Sequence, residues 1–335
     1  MNQRFVVVAG TTATANIDGI SAAGAAPDLM AHTPAADAEI VAFGRPVRAP
    51  TVPVSPTGCP TPSLVTRAAL EAAGQQPTVI DAGLTEATAA PTIDAGVGPG
   101  SDLRSPVAVP AADTAFETGR SLGRAMPEAE LVVGETIPGG TTTAMGVLAA
   151  LGEPTAVSSS LVSNPLARKR SVVEEGLAAS DVETGELAGR PTEAARLLGD
   201  PVLPTVAGLL AGAASAGKRV TLAGGSQMLA AAALARHAGV SKPLTVATTP
   251  FVLADDSADL ATLASSVDVS LVATDPGFDA HDHVVFERYR AGEAKEGVGM
   301  GGALRLADRR GVPMADVRSL VIDRYERLVE DTDGP

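Results

Sequence analysis

Short apolar runs alternate along the chain with longer Ala-rich stretches, and the two lengths predict different elements. Residues 6–9, 79–81, 131–133, 220–223, 244–248 and 269–273 are apolar or β-branched at consecutive positions apart from Asp81 and Ser270, the pattern of strands buried on both faces. Residues 63–73, 111–125, 142–151, 169–178, 206–216 and 227–237 have helical length and composition. A β-α-β-α order predicts an α/β fold: a mainly parallel sheet flanked by helices in Rossmann-like layers. The expectation is one α/β domain over 1–335, with a smaller, mostly helical region formed by chain ends or insertions.

Several predicted strands run into Gly- or Pro-rich turns: Gly10-Thr11-Thr12, Asp81-Ala82-Gly83, Gly134-Glu135, Gly224-Gly225 and Asp275-Pro276-Gly277. Ligands of open α/β sheets sit at the carboxyl ends of strands, so these turns are candidate site walls. Segment 45–62 carries Pro46, Pro50, Pro53, Pro56, Pro60 and Pro62. Such proline density excludes helix and reads as an extended rim or lid. The acidic tail 330–335 is expected to fray. No internal repeat is present.

The most informative segment runs from Val132 through Gly134-Glu135-Thr136-Ile137-Pro138-Gly139-Gly140-Thr141-Thr142 to Met145. A buried strand enters a Gly/Thr loop and then a helix, so backbone N–H groups and a helix N-terminus can converge on an anion. Gly134, Gly139 and Thr141 match the nucleotide-triphosphate loop, but Gly140 stands at its lysine position. Without that cation, a monophosphate cradle fits better than nucleoside triphosphate hydrolysis. A plain strand–helix turn with a Thr cap is the alternative.

Glu296 sits in Lys295-Glu296-Gly297-Val298-Gly299-Met300-Gly301-Gly302, before a helix expected over 303–310. The glycines formally satisfy a dinucleotide fingerprint, but residues 287–294 are charged and feed no strand into it. Glu296 is either a general base on a glycine loop or a solvated loop acid, and spacing alone favours the latter. Lys169, within Arg168-Lys169-Arg170, offers a cation to a phosphate, or else begins an ordinary solvated helix. His281-Asp282-His283 lacks ligand-like spacing with His32 and His237, so no metal site is read from it. Cys59 reads as a packing residue, having no His nearby in the sequence.

Composition narrows the class. The formal charge is −14, with 39 acidic and 25 basic residues. That balance argues against nucleic acid or an anionic membrane as partner. Only Lys169, Lys218, Lys242 and Lys295 are lysines, and the acids are dispersed, a pattern that suits high salt. A halophilic source is therefore expected. Aromatics are 2% of the chain and Trp is absent, so the core must be built from Ala, Val and Leu. One cysteine permits no internal disulfide, and the N-terminus reads as a strand instead of a signal peptide; both make the cytoplasm the default.

Taken in order, several segments resemble the nicotinate-nucleotide:dimethylbenzimidazole phosphoribosyltransferase family of cobalamin synthesis, and most closely its archaeal branch. Gly134-Glu135 through Gly139-Gly140-Thr141-Thr142 is similar to the bacterial G-E-M-G-I-G-N-T-T. The helix holding Lys169, the turn Gly224-Gly225, Asp275-Pro276-Gly277 and Glu296-Gly297-Val298-Gly299 resemble further family motifs in the same order. Val7 to Thr12, Gly19 to Ala25 and Pro53 to Pro62 look like the archaeal members. The resemblance implies transfer of the 5-phosphoribosyl group of nicotinate mononucleotide to an aromatic, benzimidazole-type base, giving α-ribazole phosphate and nicotinate. Glu296 would be the general base and Glu135 the ribose-side carboxylate. Gly134, Gly139, Gly140, Thr141, Thr142, Lys169, Gly224, Gly225, Asp275, Gly277, Gly297 and Gly299 would bind substrate. No cofactor or metal is required, since nicotinate already leaves readily from a charged ring nitrogen. A homodimer is also implied. Gly140 departs from the bacterial Asn, and the Pro-rich segment has no bacterial match. The alternatives are another acceptor, adenine or a phenol, or a non-catalytic nucleotide-binding protein of the same fold.

Overall fold

A computed structural model describes residues 2–21, 27–55 and 57–332. Seven strands form one sheet: β1 (Gln3–Ala9), β2 (Pro77–Asp81), β3 (Thr92–Asp94), β4 (Glu130–Thr136), β5 (Arg219–Ala223), β6 (Leu244–Thr248) and β7 (Val269–Ala273). Every pairing is parallel, in the order β3-β2-β1-β4-β5-β6-β7. The chain builds outward from β1 in one direction, then returns to build from β4 in the other. The boundary between β1 and β4 is the topological switch point, where an open α/β sheet leaves a crevice at its carboxyl edge.

The helices are α1 (Pro27–Met30), α2 (Thr33–Phe43), α3 (Ser63–Ala72), α4 (Ala112–Ala125), α5 (Gly140–Leu151), α6 (Leu166–Ala179) and α7 (Pro191–Leu198). They continue with α8 (Val202–Ser215), α9 (Ser226–His237), α10 (Pro250–Leu253), α11 (Leu260–Ser266), α12 (Val284–Arg290), α13 (Met300–Arg309) and α14 (Met314–Thr332). Side-chain alternation along the strands divides the core in two. Val6, Val8, Leu131, Val133 and Leu222 pack with α5, α8 and α9, whereas Phe5, Val7, Val132 and Ala223 pack with α3, α13 and α14.

Few large side chains are available, so backbones approach closely. A Cβ on Gly119 or Gly123 of α4 would land on a carbonyl of α8, and one on Gly208 or Gly212 of α8 on a carbonyl of α4. The scarce aromatics gather on the other face, where Phe278 stacks on Phe286 with ring centroids 4.5 Å apart and lies 5.3 Å from Tyr289.

Each predicted strand and helix is present, with ends moved by a few residues. Strand β3 is additional to the predicted set, because Thr92, Ile93 and Asp94 are all exposed at the sheet edge and show no buried pattern. Among the described residues of segment 45–62 there is no helix until α3 begins at Ser63, and Val54 pairs with Pro60 in an isolated bridge. The expected fraying of 330–335 is corrected in part: α14 continues to Thr332, and 333–335 lie outside the described residues. Pro56 of the Pro-rich segment and residues 22–25 of the family-like Gly19 to Ala25 stretch also lie outside them. No helix among the described residues is long and apolar enough to cross a membrane.

Candidate active site

One cavity lies over the switch point. Ile20 and Ser21 enter it from the loop after β1, and Glu135 to Thr141 from the end of β4 and the start of α5. Gly225, Ser226 and Gln227 reach it at the start of α9, and Ser158, Ser159 and Ser160 come from the connection after α5. The Pro-rich segment supplies a wall through Pro53, Val54, Ser55 and residues 59–62, and residues 294–298 close it. No aromatic side chain is found among the described residues that line the cavity.

Glu135 and Glu296, far apart in sequence, share this cavity. Glu135 is pushed up to about 8, first by burial and then by the nearby Asp200, Glu296 and Asp37 carboxylates. Glu296 is also pushed up to about 8 by burial, against N–H donation from Gly301, Gly297 and Met300. Both Glu296 oxygens accept from Gly301 N–H, at 3.0 and 3.2 Å, so the carboxylate is anchored at the N-terminus of α13. The side chain is half-buried and held by the backbone instead of free in the loop.

Two further acids, which carry no sequence motif, support the pair. Asp37 of α2 lines the cavity and accepts from Thr61 Oγ1 at 2.6 Å and Thr136 Oγ1 at 2.7 Å, tying the Pro-rich wall to the end of β4. Burial raises it to about 6. Asp200 is fully buried and accepts from Thr143 Oγ1 and from the N–H groups of Val202 and Leu203, and burial raises it also to about 6. Four carboxylates thus crowd one region.

Of the sequence-predicted site residues, Glu135, Gly139, Gly140, Thr141, Gly225, Glu296 and Gly297 line the cavity. Lys169 does not. Its side chain is fully buried, and its ammonium donates to Ser158 O at 2.8 Å and Asn164 Oδ1 at 3.1 Å. Burial lowers its pKa to about 7. Lys295 acts in the same way, donating to the carbonyls of Ser159 and Leu161, each at 3.2 Å, and to Asp255 at 2.8 Å. Two of the chain's four lysines therefore brace one serine loop.

The other predicted ligands do not line the cavity. Thr142 is buried within α5, and Gly224 leaves room for Met228, whose Cγ would stand 2.6 Å from an added Cβ. Gly134 and Gly299 press against each other across the two strand–helix segments. Asp275 is exposed and accepts the Gly277 N–H at 2.8 Å, while Arg318 of α14 donates to Pro276 O at 2.8 Å. That turn is fastened to α14, away from the cavity.

Sequence reasoning missed Asp37, the serines 158–160, Gln227 and Lys295. Asp37 and the serines lie in stretches without glycine punctuation or family-like spacing, so the sequence carries no signal for them. Gln227 and Lys295 stand beside recognised motifs, and that adjacency was the available signal.

No family model matches the chain. The UPF0284 protein of Halobacterium salinarum is 56% identical over 325 residues, 97% of this chain and 98% of that one. The UPF0284 protein of Methanosarcina mazei is 41% identical over 95% of this chain and 92% of its own. For the UPF0284 protein of Pyrococcus furiosus the identity is 38%, over 98% and 100%. Among solved structures, the nicotinate-nucleotide-dimethylbenzimidazole phosphoribosyltransferase of Thermus thermophilus superposes with a TM-score of 0.61, covering 95% of this chain and 82% of that one at 21% identity. A second structure, CobT from the same organism, gives 0.58 at 20% identity, covering 96% and 84%. The chain therefore belongs to the archaeal UPF0284 family and has the fold of the nicotinate-nucleotide-dimethylbenzimidazole phosphoribosyltransferases.

Proposed function

We propose that the protein is a phosphoribosyltransferase that moves the 5-phosphoribosyl group of nicotinate mononucleotide to a benzimidazole-type base, in assembly of the cobalamin nucleotide loop. The observation that carries this reading is the meeting of Glu135 and Glu296 in one cavity, beside the N-termini of α5 and α9. Those two helix ends suit the 5′-phosphate, because their positive dipole ends face the same space. The loop braced by Lys169 and Lys295 adds serines to the wall of the cavity beside that site.

The crowded carboxylates favour a cationic ligand, and the ring of nicotinate mononucleotide is a pyridinium. Its positive charge near Glu135, Asp37 and Asp200 favours their ionised forms and offsets their mutual repulsion. In the reaction the C1′–nitrogen bond breaks and its electron pair returns to the departing nicotinate. The unprotonated ring nitrogen of the acceptor forms the new bond to C1′ with its lone pair, and the proton on the other ring nitrogen passes to the Glu296 carboxylate. Glu135 stabilises the positive character that develops at the sugar carbon. The acceptor ring packs against aliphatic groups of the Pro-rich wall, such as Pro53, Val54 and Pro62, and Val298 opposite.

Incubation with nicotinate mononucleotide and dimethylbenzimidazole in molar KCl is expected to release nicotinate and form α-ribazole phosphate. Parallel reactions with adenine and with a phenol identify the acceptor. Absence of nicotinate release with every acceptor overturns the assignment.

A further inference from the structure

Gly140 and Gln227 occupy one another's space. A Cβ placed on Gly140 would land on the Gln227 carboxamide nitrogen and stand 2.9 Å from its Cδ. Gly140 opens α5 and Gln227 lies in the first turn of α9, so the carboxamide sits between two helix N-termini that line the same cavity. Gln227 is half-buried, and its side chain has no hydrogen-bond partner among the described residues. Beside it, Ser226 Oγ accepts from Ser158 N–H at 2.8 Å, and Ile137 Cγ2 would stand 2.8 Å from the Gly140 Cβ. An uncommitted amide donor held against a space that only glycine leaves open suits an anionic ligand at that point.

Resting on the reading above, we infer that Gln227 binds the 5′-phosphate of the nucleotide through its carboxamide N–H, and that glycine at 140 exists to admit it. The bacterial motif resembled by this segment has Asn at the position of Gly140, so the amide function is moved here from the α5 loop to α9. The pair is then one unit: a side chain at 140 and a long amide at 227 exclude each other.

The test is a double-mutant cycle of Gly140→Asn and Gln227→Ala, with Gln227→Glu as a shape-preserving variant. Affinity is measured by calorimetry in molar KCl for nicotinate mononucleotide, for nicotinate riboside, which lacks the phosphate, and for inorganic phosphate. Thermal unfolding checks that each variant is folded. Gln227→Ala is expected to weaken nicotinate mononucleotide about tenfold, the worth of one hydrogen bond to a charged group. Riboside binding should stay within about twofold on the same scale. Gln227→Glu should weaken the nucleotide further, through repulsion. Gly140→Asn alone should weaken it by displacing the carboxamide, and adding Gln227→Ala should restore affinity toward that of the unaltered protein. Equal losses for nucleotide and riboside, or single effects that merely add in the double variant, overturn the inference. If the unaltered protein binds phosphate but not the nucleotide, the proposed reaction fails, and the Gln227 variants still decide the anion contact. Failure to bind either probe overturns both.

Discussion

Gly134 of β4 and Gly299 before α13 touch backbone to backbone: a Cβ on Gly134 would stand 2.6 Å from Gly299 Cα and 3.0 Å from its nitrogen. Gly134 immediately precedes Glu135, and Gly299 closes the turn that Glu296 opens. The contact therefore sets how closely the two carboxylates approach. Gly299 also has φ +72° and faces Phe5 Cζ, 2.9 Å from where its own Cβ would lie, so neither residue tolerates a side chain. Gly134→Ala is expected to push the turn off the sheet. Stability should fall by about 1–3 kcal/mol, as overpacking does, and nicotinate release should slow more than tenfold, by about 1.4 kcal/mol or more of barrier. Denaturant unfolding and steady-state rates read the two effects, and a variant unchanged in both would deny the contact this role.

Glu296→Gln keeps the shape and the acceptor oxygen that receives the Gly301 N–H, but it cannot take a proton. Turnover should drop by about 10²–10⁴, the range for a lost general base. Nucleotide affinity should change little, because the proposed phosphate grip lies at α5 and α9. Turnover within a few-fold of that of the unaltered protein would exclude proton transfer to Glu296.

The sheet was readable because its central strands carry consecutive apolar or β-branched residues through their middles, which marks burial on both faces. Strand β3 was not, because its three residues are exposed at an edge. Glu135 and Glu296 could be found because glycines flank them and mark where a chain turns beneath a ligand. Asp37 could not: it lies in Thr33–Phe43 among alanines, and its partners Thr61 and Thr136 belong to distant segments. Lys169 shows the opposite failure. Its basic neighbours suggested a surface cation, yet only folding reveals that it points inward at a carbonyl. A sequence shows which residues have unusual chemistry, but the direction in which each points depends on packing from elsewhere.

The four crowded acids make stability depend on pH. Asp37 and Asp200 are raised to about 6, and Glu135 and Glu296 to about 8, so the folded protein holds these protons more tightly than the unfolded chain does. Their contribution is complete below the ordinary carboxylate range near 4 and is lost as pH rises through 6 and then 8. Glu135→Gln removes one of these groups. The variant should match the unaltered protein in stability near pH 4 and exceed it by several kcal/mol at pH 9. Repulsion between the two glutamates is mutual, so Glu296 should also ionise at lower pH in this variant, and the rising limb of kcat/KM should move down with it. Unfolding curves of the two proteins that stay parallel from pH 4 to 9 would show that Glu135 is not protonated in the folded state.

Lys169 offers a test of indirect action. Lys169→Met keeps the length of the side chain but leaves Ser158 O and Asn164 Oδ1 without their ammonium donor. Unpaired groups in the interior should lower stability by about 1–3 kcal/mol. The serine loop at 158–160 should loosen, and with it the wall it forms in the cavity. A ligand that leans on this loop loses affinity whether or not it carries a phosphate, so nicotinate mononucleotide and nicotinate riboside should weaken by similar factors. A direct ammonium–phosphate contact would weaken the nucleotide alone. The ratio of the two dissociation constants, compared between Lys169→Met and the unaltered protein, therefore separates a lysine that braces the cradle from one that enters it, and a constant ratio is the expected result.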